Sequence, residues 1–178
     1  MKRKTTAIEG LLVFEPVVYK DKRGFFFESF RASEFGEAGI LRTFVQDNQS
    51  QSQYGVIRGL HYQRPPHAQA KLVRVLDGLI YDVAVDLRPD SRSYGKWYGI
   101  ELSSENLKQL YIPAGFAHGF SVLSDRASVM YKCDAYYHPD AEAGIRYNDP
   151  SLNIDWRLDS RNMIVSDKDL SLPLLKDL

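Results

Sequence analysis

Lys71-Leu72-Val73-Arg74-Val75-Leu76-Asp77-Gly78-Leu79-Ile80-Tyr81-Asp82-Val83-Ala84-Val85-Asp86-Leu87 is the stretch on which the fold turns. Two runs rich in Val, Ile, Leu and Tyr flank Asp77-Gly78, and an Asp-Gly pair between such runs is a strong signal for a tight β-hairpin. The second run alternates: Leu79, Tyr81, Val83, Val85 and Leu87 share one face, and Ile80, Asp82, Ala84 and Asp86 share the other. Two acids on one face of a strand are either solvated or turned into a polar cavity, and alternation alone leaves both open.

Working outward, strand-like segments recur at short intervals. They are Leu11 to Phe14, Phe25 to Phe30, Thr43 to Gln46, Val56 to Tyr62, Leu72 to Leu76, Leu79 to Leu87, Trp97 to Leu102, Gln109 to Ile112, Gly119 to Leu123 and Val129 to Tyr137. Ala32 to Ala38 and the stretch after Ser166 are the helix candidates. With little room for crossover helices, the spacing predicts an all-β chain: an antiparallel, double-stranded jelly-roll barrel, cupin-like, with a few short helices. One domain over residues 1–178 is expected, since no repeat, linker or low-complexity segment interrupts the pattern.

Composition narrows the function classes. The 23 basic and 23 acidic side chains cancel to a formal net charge of +0, so no basic surface for nucleic acid and no membrane-adsorbing face is indicated. The chain has no run long enough to span a membrane and no secretory leader, which makes a cytoplasmic location the expectation. Cys133 is the only cysteine, which excludes an internal disulfide and a Cys-rich zinc site. A metal-binding barrel of this type uses His-x-His on one strand plus a further histidine and a carboxylate. Only His61, His67, His118 and His138 are present, none of them one residue apart, so no metal site is expected.

The informative ionisable residues are those inside apolar runs, where a charge is costly unless paired or functional: Arg58, His61, Lys71, His118 and Tyr131. Each has an ordinary reading, as a rim, surface or packed core residue. His118 lies in Pro113-Ala114-Gly115-Phe116-Ala117-His118-Gly119-Phe120, which reads as a shaped turn or as a histidine held at a cavity mouth. In Val56-Ile57-Arg58-Gly59-Leu60-His61-Tyr62-Gln63, strict alternation sends Arg58 and His61 to opposite faces. A bulge or bend at Gly59 would shift the period by one and turn both inward.

Seven motifs now stand in order along the chain. They are Arg23-Gly24-Phe25-Phe26-Phe27-Glu28, Gln46-Asp47-Asn48, Arg58-Gly59-Leu60-His61-Tyr62-Gln63, Lys71-Leu72-Val73-Arg74-Val75, the Pro113–Phe120 segment, Tyr131-Lys132 and Ser166-Asp167-Lys168-Asp169. In this order and spacing the chain resembles the dTDP-4-dehydrorhamnose 3,5-epimerase family over nearly its whole length. The resemblance implies a metal-free homodimer that needs no cofactor and acts on a dTDP-deoxyhexose. It would invert the two carbons flanking the ketone of dTDP-4-dehydro-6-deoxy-D-glucose to give dTDP-4-dehydro-L-rhamnose.

Such chemistry needs a base on one face of the sugar, a stabiliser for the enolate oxygen and an acid on the other face. By resemblance His61 is the base and Asp169 the carboxylate that orients it, a neighbour that favours the protonated ring a base must form. Asp82 is a second candidate orienter, and Ser166-x-x-Asp169 also reads as a capping box. Tyr131 matches the acid and Lys71 the cation near the oxyanion. Arg58 would pair with the diphosphate through its planar fork. Arg23 and Glu28 match nucleotide contacts that in some members cross a subunit boundary. Gln46 and Asn48 suit thymine or sugar, His118, Glu142 and Lys168 match substrate contacts, and Tyr136 and Tyr137 are either base-stacking or packing residues. A mono-epimerase of a related sugar nucleotide, a non-catalytic sugar-nucleotide binding module and a metal-dependent cupin enzyme are the competing readings.

Overall fold

The computed structural model describes residues 1–178. Fourteen strands follow in chain order: β1 (Lys2–Thr5), β2 (Leu12–Glu15), β3 (Val18–Asp21), β4 (Gly24–Phe27), β5 (Gln46–Gln53), β6 (Val56–Gln63), β7 (Lys71–Asp77), β8 (Leu79–Asp86), β9 (Trp97–Ser103), β10 (Gln109–Ile112), β11 (Phe116–Val122), β12 (Arg126–Cys133), β13 (Glu142–Gly144) and β14 (Ile164–Val165). Helix is confined to α1 (Ala32–Glu37), α2 (Asp167–Leu170) and three single 3-10 turns, and no helix is long and apolar enough to cross a membrane.

Two sheets pack face to face, ordered β1-β2-β10-β7-β12-β5 and β13-β6-β11-β8-β9, with the β3–β4 hairpin standing apart. Every ladder is antiparallel except the short β14–β6 pairing. This is the expected jelly-roll barrel. Leu79 pairs with Ser103 and Val85 with Trp97, so the run after the Asp-Gly turn lies between β11 and β9 rather than at an edge. The hairpin expected across Asp77-Gly78 does not form: β7 pairs with β10 and β12 in the first sheet and β8 with β11 and β9 in the second, so this turn carries the chain from one sheet to the other, where each run finds longer-range partners. Gly78 makes the turn at a φ of 84°, where a side chain would be strained and its Cβ would collide with the carbonyl oxygen of Arg126.

The core forms on both sides of the second sheet. Val13, Val73, Val75, Leu110 and Ile112 of the first sheet meet Ile80, Ala84, Leu102, Phe116, Phe120 and Val122 of the second. On the outer side, Ile57, Leu60, Tyr81, Val83, Val85 and Ala117 are covered by Ile145, Leu152 and Trp156 from the chain after β13. Each fully buried aliphatic side chain contributes roughly 1.5–3 kcal/mol, so this cover stabilises the sheet that carries the site.

The double cover corrects the solvated reading of Asp82 and Asp86. Both are fully buried, because the even-numbered residues of β8 face the barrel interior while the odd-numbered ones face the cover. Burial by itself would raise the Asp86 carboxyl, but hydrogen bonds from Arg88, Ser91 and Ser93 outweigh it and hold the group far below the ordinary carboxylate range.

Element boundaries differ from the expected ones where polar sequence is strand and where aromatic sequence is not. The strand expected over 43–46 starts at Gln46 and runs through Gln53, a polar segment whose pairing with β12 outweighs its low apolar content. β12 ends at Cys133, so Tyr136 and Tyr137 lie outside any strand. β4 ends at Phe27, and His118 lies within β11 rather than in a turn.

Candidate active site

The pocket opens between the two sheets and holds about 240 Å³. His61 of β6 lines it from the second sheet, and Asn48 of β5, Lys71 of β7 and Tyr131 of β12 line it from the first. Gln46, Tyr62, Gln63, Gln69, Tyr137 and Glu142 complete the lining.

The bend expected at Gly59 brings His61 here. In the β6–β11 ladder His61 pairs with His118 but Arg58 pairs with Phe120, so three steps of β6 are matched by two of β11. Gly59 has a φ of 112°, and a Cβ there would meet Gly119 Cα and His118 O, each at 2.6 Å. Only glycine fits this close approach. The shift leaves Ile57 and Leu60 together in the outer core. Arg58 reaches the opposite sheet, its Nε donating to Ser52 Oγ of β5 at 2.9 Å.

Asp169 reaches His61 from the far end of the chain. Ser166 caps α2 by accepting from Asp169 N, and the Asp169 carboxylate turns inward, 2.7 Å from His61 Nε2 through Oδ1. Its Oδ2 accepts from Gly59 N at 3.0 Å. Asp169 is therefore both a residue of the capped turn and the orienter of His61. Burial raises its carboxyl, but the hydrogen bonds from His61 and Gly59 outweigh that and hold it below the usual range. With both oxygens accepting, Nε2 of His61 must donate, which leaves the Nδ1 lone pair as the ring's free base.

Asp82 does not orient His61. It accepts instead from His118 Nε2 at 2.7 Å, and both side chains are buried. His118 thus sits behind the pocket and not at its mouth.

Across the pocket, Lys71 Nζ lies 5.8 Å from the centre of the Tyr131 ring. Burial lowers the Lys71 ammonium, opposed in part by Cys133, Asp82 and Glu142, and burial raises the Tyr131 phenol. The phenol is therefore protonated at neutral pH and suited to donate a proton.

At the rim, Glu142 accepts from Lys168 Nζ at 2.6 Å and from Tyr137 Oη at 2.8 Å. Gln46 donates to Asn48 Oδ1 at 3.1 Å. Arg23 and Glu28 are not brought to this pocket: Arg23 bonds Asp21 on the exposed hairpin, and Glu28 bonds Arg31. Sequence reading did not single out Tyr62, Gln63 and Gln69, which line the pocket, nor two further neighbours: Cys133, to whose Sγ Asn48 donates at 3.7 Å, and Ser52 under Arg58. Alternation from Tyr131 along β12 would have found Cys133. Ser52 required the register between sheets.

A family model described as dTDP-4-dehydrorhamnose 3,5-epimerase matches residues 5–177. The chain is 52% identical over 174 residues to the dTDP-4-dehydrorhamnose 3,5-epimerase of Escherichia coli K12, covering 97% of this chain and 94% of that one. The crystal structure of dTDP-4-dehydrorhamnose 3,5-epimerase from Elizabethkingia anophelis is similar with a TM-score of 0.96 and 49% identity, over 99% and 97% of the two chains. The dTDP-6-deoxy-D-glucose-3,5-epimerase of Legionella pneumophila in complex with dTDP-4-keto-L-rhamnose matches with a TM-score of 0.94 and 51% identity, over 98% and 93%.

Proposed function

We propose that this chain, which belongs to the dTDP-4-dehydrorhamnose 3,5-epimerase family, inverts carbons 3 and 5 of dTDP-4-dehydro-6-deoxy-D-glucose to give dTDP-4-dehydro-L-rhamnose. One observation carries the mechanism: a carboxylate-oriented histidine on one sheet faces a phenol and a lysine on the other across a single pocket. A sugar ring between the sheets has a base on one side and an acid on the other, as inversion demands.

His61 Nδ1 takes the proton from the carbon beside the ketone, and the electron pair of that C–H bond moves onto the ketone oxygen. The imidazolium so formed is stabilised by Asp169. Lys71 stabilises the enolate oxygen, and its partly desolvated setting makes that charge count for more than it would in water. Tyr131 returns a proton from the opposite face. His61, with a side chain 31% exposed, then releases its captured proton to solvent and the Tyr131 phenolate regains one from solvent, which restores base and acid before the second carbon reacts.

Arg58 pairs with the diphosphate, Tyr137 stacks on the base, and Gln46, Asn48, Glu142 and Lys168 contribute substrate contacts on this reading, while His118, buried against Asp82, backs the pocket wall and does not touch the substrate. Tyr137 is well placed for stacking, since its ring lines the pocket and is 53% exposed. Arg23 and Glu28 serve the pocket of a second copy in a homodimer. Support comes from the β3–β4 hairpin, which exposes Tyr19, Phe25 and Phe26 at 65%, 57% and 70% and carries Arg23 away from its own pocket.

The test is turnover in heavy water. Deuterium should enter at both carbons flanking the ketone; entry at one carbon alone would make the chain a mono-epimerase, and none would make it a binding module. A sedimentation mass of one chain under the same conditions would mean that the hairpin serves no second pocket.

A further inference from the structure

Residues 135–137 follow β12 without joining any strand, yet they carry the ring that lines the pocket rim. Every hydrogen bond made by the backbone of these three residues ends on a glutamine side chain. Gln69 Nε2 donates to Ala135 O at 2.7 Å, Gln63 Nε2 donates to Tyr136 O at 3.2 Å, and Tyr137 N donates to Gln46 Oε1 at 2.8 Å. Gln63 does more than the other two. Its Oε1 also accepts from His138 N at 2.7 Å, and its Nε2 also donates to His67 O at 2.7 Å.

The Gln63 amide is thus fully used, with two donors on two carbonyls and its oxygen on one N–H, while the residue is only 6% exposed. No other side chain of that length does this. A carboxylate cannot donate, and an aliphatic side chain would leave two carbonyls and an N–H without partners. By holding His67 and His138 through their backbones, Gln63 also sets the stacking of the two rings, 3.8 Å apart and 15° from parallel, which closes the loop over residues 64–69 against the segment after β12.

We infer that Gln63 is a positioning residue that fixes the Tyr137 ring as a preorganised platform for the nucleoside, so that it governs substrate affinity and not the proton transfers. This rests on the proposed function, in which the Tyr137 side of the pocket receives the base. A platform held by side chains and not by a sheet ladder loses its preorganisation when those side chains are removed, and the loss appears in binding.

The test is a double-mutant cycle on dTDP affinity, measured by titration calorimetry, with steady-state turnover alongside. Q63L should weaken dTDP binding and raise KM about tenfold, the loss expected from unpairing buried polar groups, with a smaller effect on kcat. Q63E, which keeps the acceptor but loses both donors, should not restore affinity. In a Y137A background Q63L should cost little further affinity, because its effect runs through that ring. Full additivity in the cycle, or a fall in kcat with KM unchanged, would overturn the inference while leaving the proposed reaction intact. Failure of the unaltered chain to bind dTDP would overturn both. If Q63L does not fold, Q69L, which removes the Ala135 contact alone, replaces it in the cycle: coupling to Tyr137 supports the platform, and additivity overturns it.

Discussion

His61–Asp169 and His118–Asp82 are the same pair of groups in the same geometry, each with Nε2 2.7 Å from a carboxylate oxygen, and the two histidines oppose one another across the β6–β11 ladder. They differ in their surroundings. The His61 side chain is 31% exposed and borders the pocket, while His118 and Asp82 are 7% and 0% exposed and lie behind it. Asp169 has both oxygens occupied, whereas Oδ2 of Asp82 is buried without a partner. An oriented imidazole becomes a base only where its free nitrogen meets substrate and its proton can leave. The exposed pair is placed to react, and the buried pair to hold the sheet's inner face and the wall of the pocket.

Removing each ring in turn puts the difference between the two pairs at greatest risk. His61→Asn should lower turnover and solvent deuterium exchange by about 10³-fold, the scale of a lost general base. His118→Asn should cost about tenfold, the scale of a lost hydrogen bond. Equal losses would erase the distinction.

Asp169→Asn should come next, lowering turnover by about 10²-fold by unfixing the His61 tautomer. It also carries a pH signature. Because the folded carboxyl lies below its ordinary value, its contribution to stability is complete above that value, about pH 3.9, and is lost as the pH falls through the lower folded value. Denaturation followed against pH should show a weaker acid dependence in Asp169→Asn than in the parent. An unchanged acid limb would mean the pair does not stabilise the fold.

The last effect is one of stability and not of turnover, and lies where β6 meets β11 between the two pairs. Gly59→Ala forces a Cβ against Gly119 and His118 O at a positive φ and should cost about 2 kcal/mol in thermal or denaturant unfolding. Unchanged stability would show that the close approach of β6 to β11 is not what sets the two histidines side by side.

Much of this was legible in the sequence. The all-β class, a turn at Asp77-Gly78 and the irregularity at Gly59 follow from short-range chemistry, since an Asp-Gly turn and a glycine amid a strand have few backbone solutions; that the Asp-Gly turn joins two sheets and not two paired strands does not. The resemblance carried His61, Lys71, Tyr131 and Asp169 by motif. It also carried Arg23 and Glu28, which the fold of one chain leaves on a hairpin away from the pocket.

Local pattern could not separate Asp82 from Asp169 as the partner of His61. Asp169 arrives from 108 residues away on a capped turn, and Asp82 is diverted to a histidine by strand register. Nor could it place Gln63, Gln69 and Gln46 around one segment, for each is an ordinary polar residue until three separate elements converge. Periodicity and residue type, both local properties of the chain, were enough for most strands and turns, and the identities of the reacting groups came with the resemblance of the motifs. Which charges are paired, buried or free came only with the folded barrel, because those states depend on contacts between residues far apart in the chain.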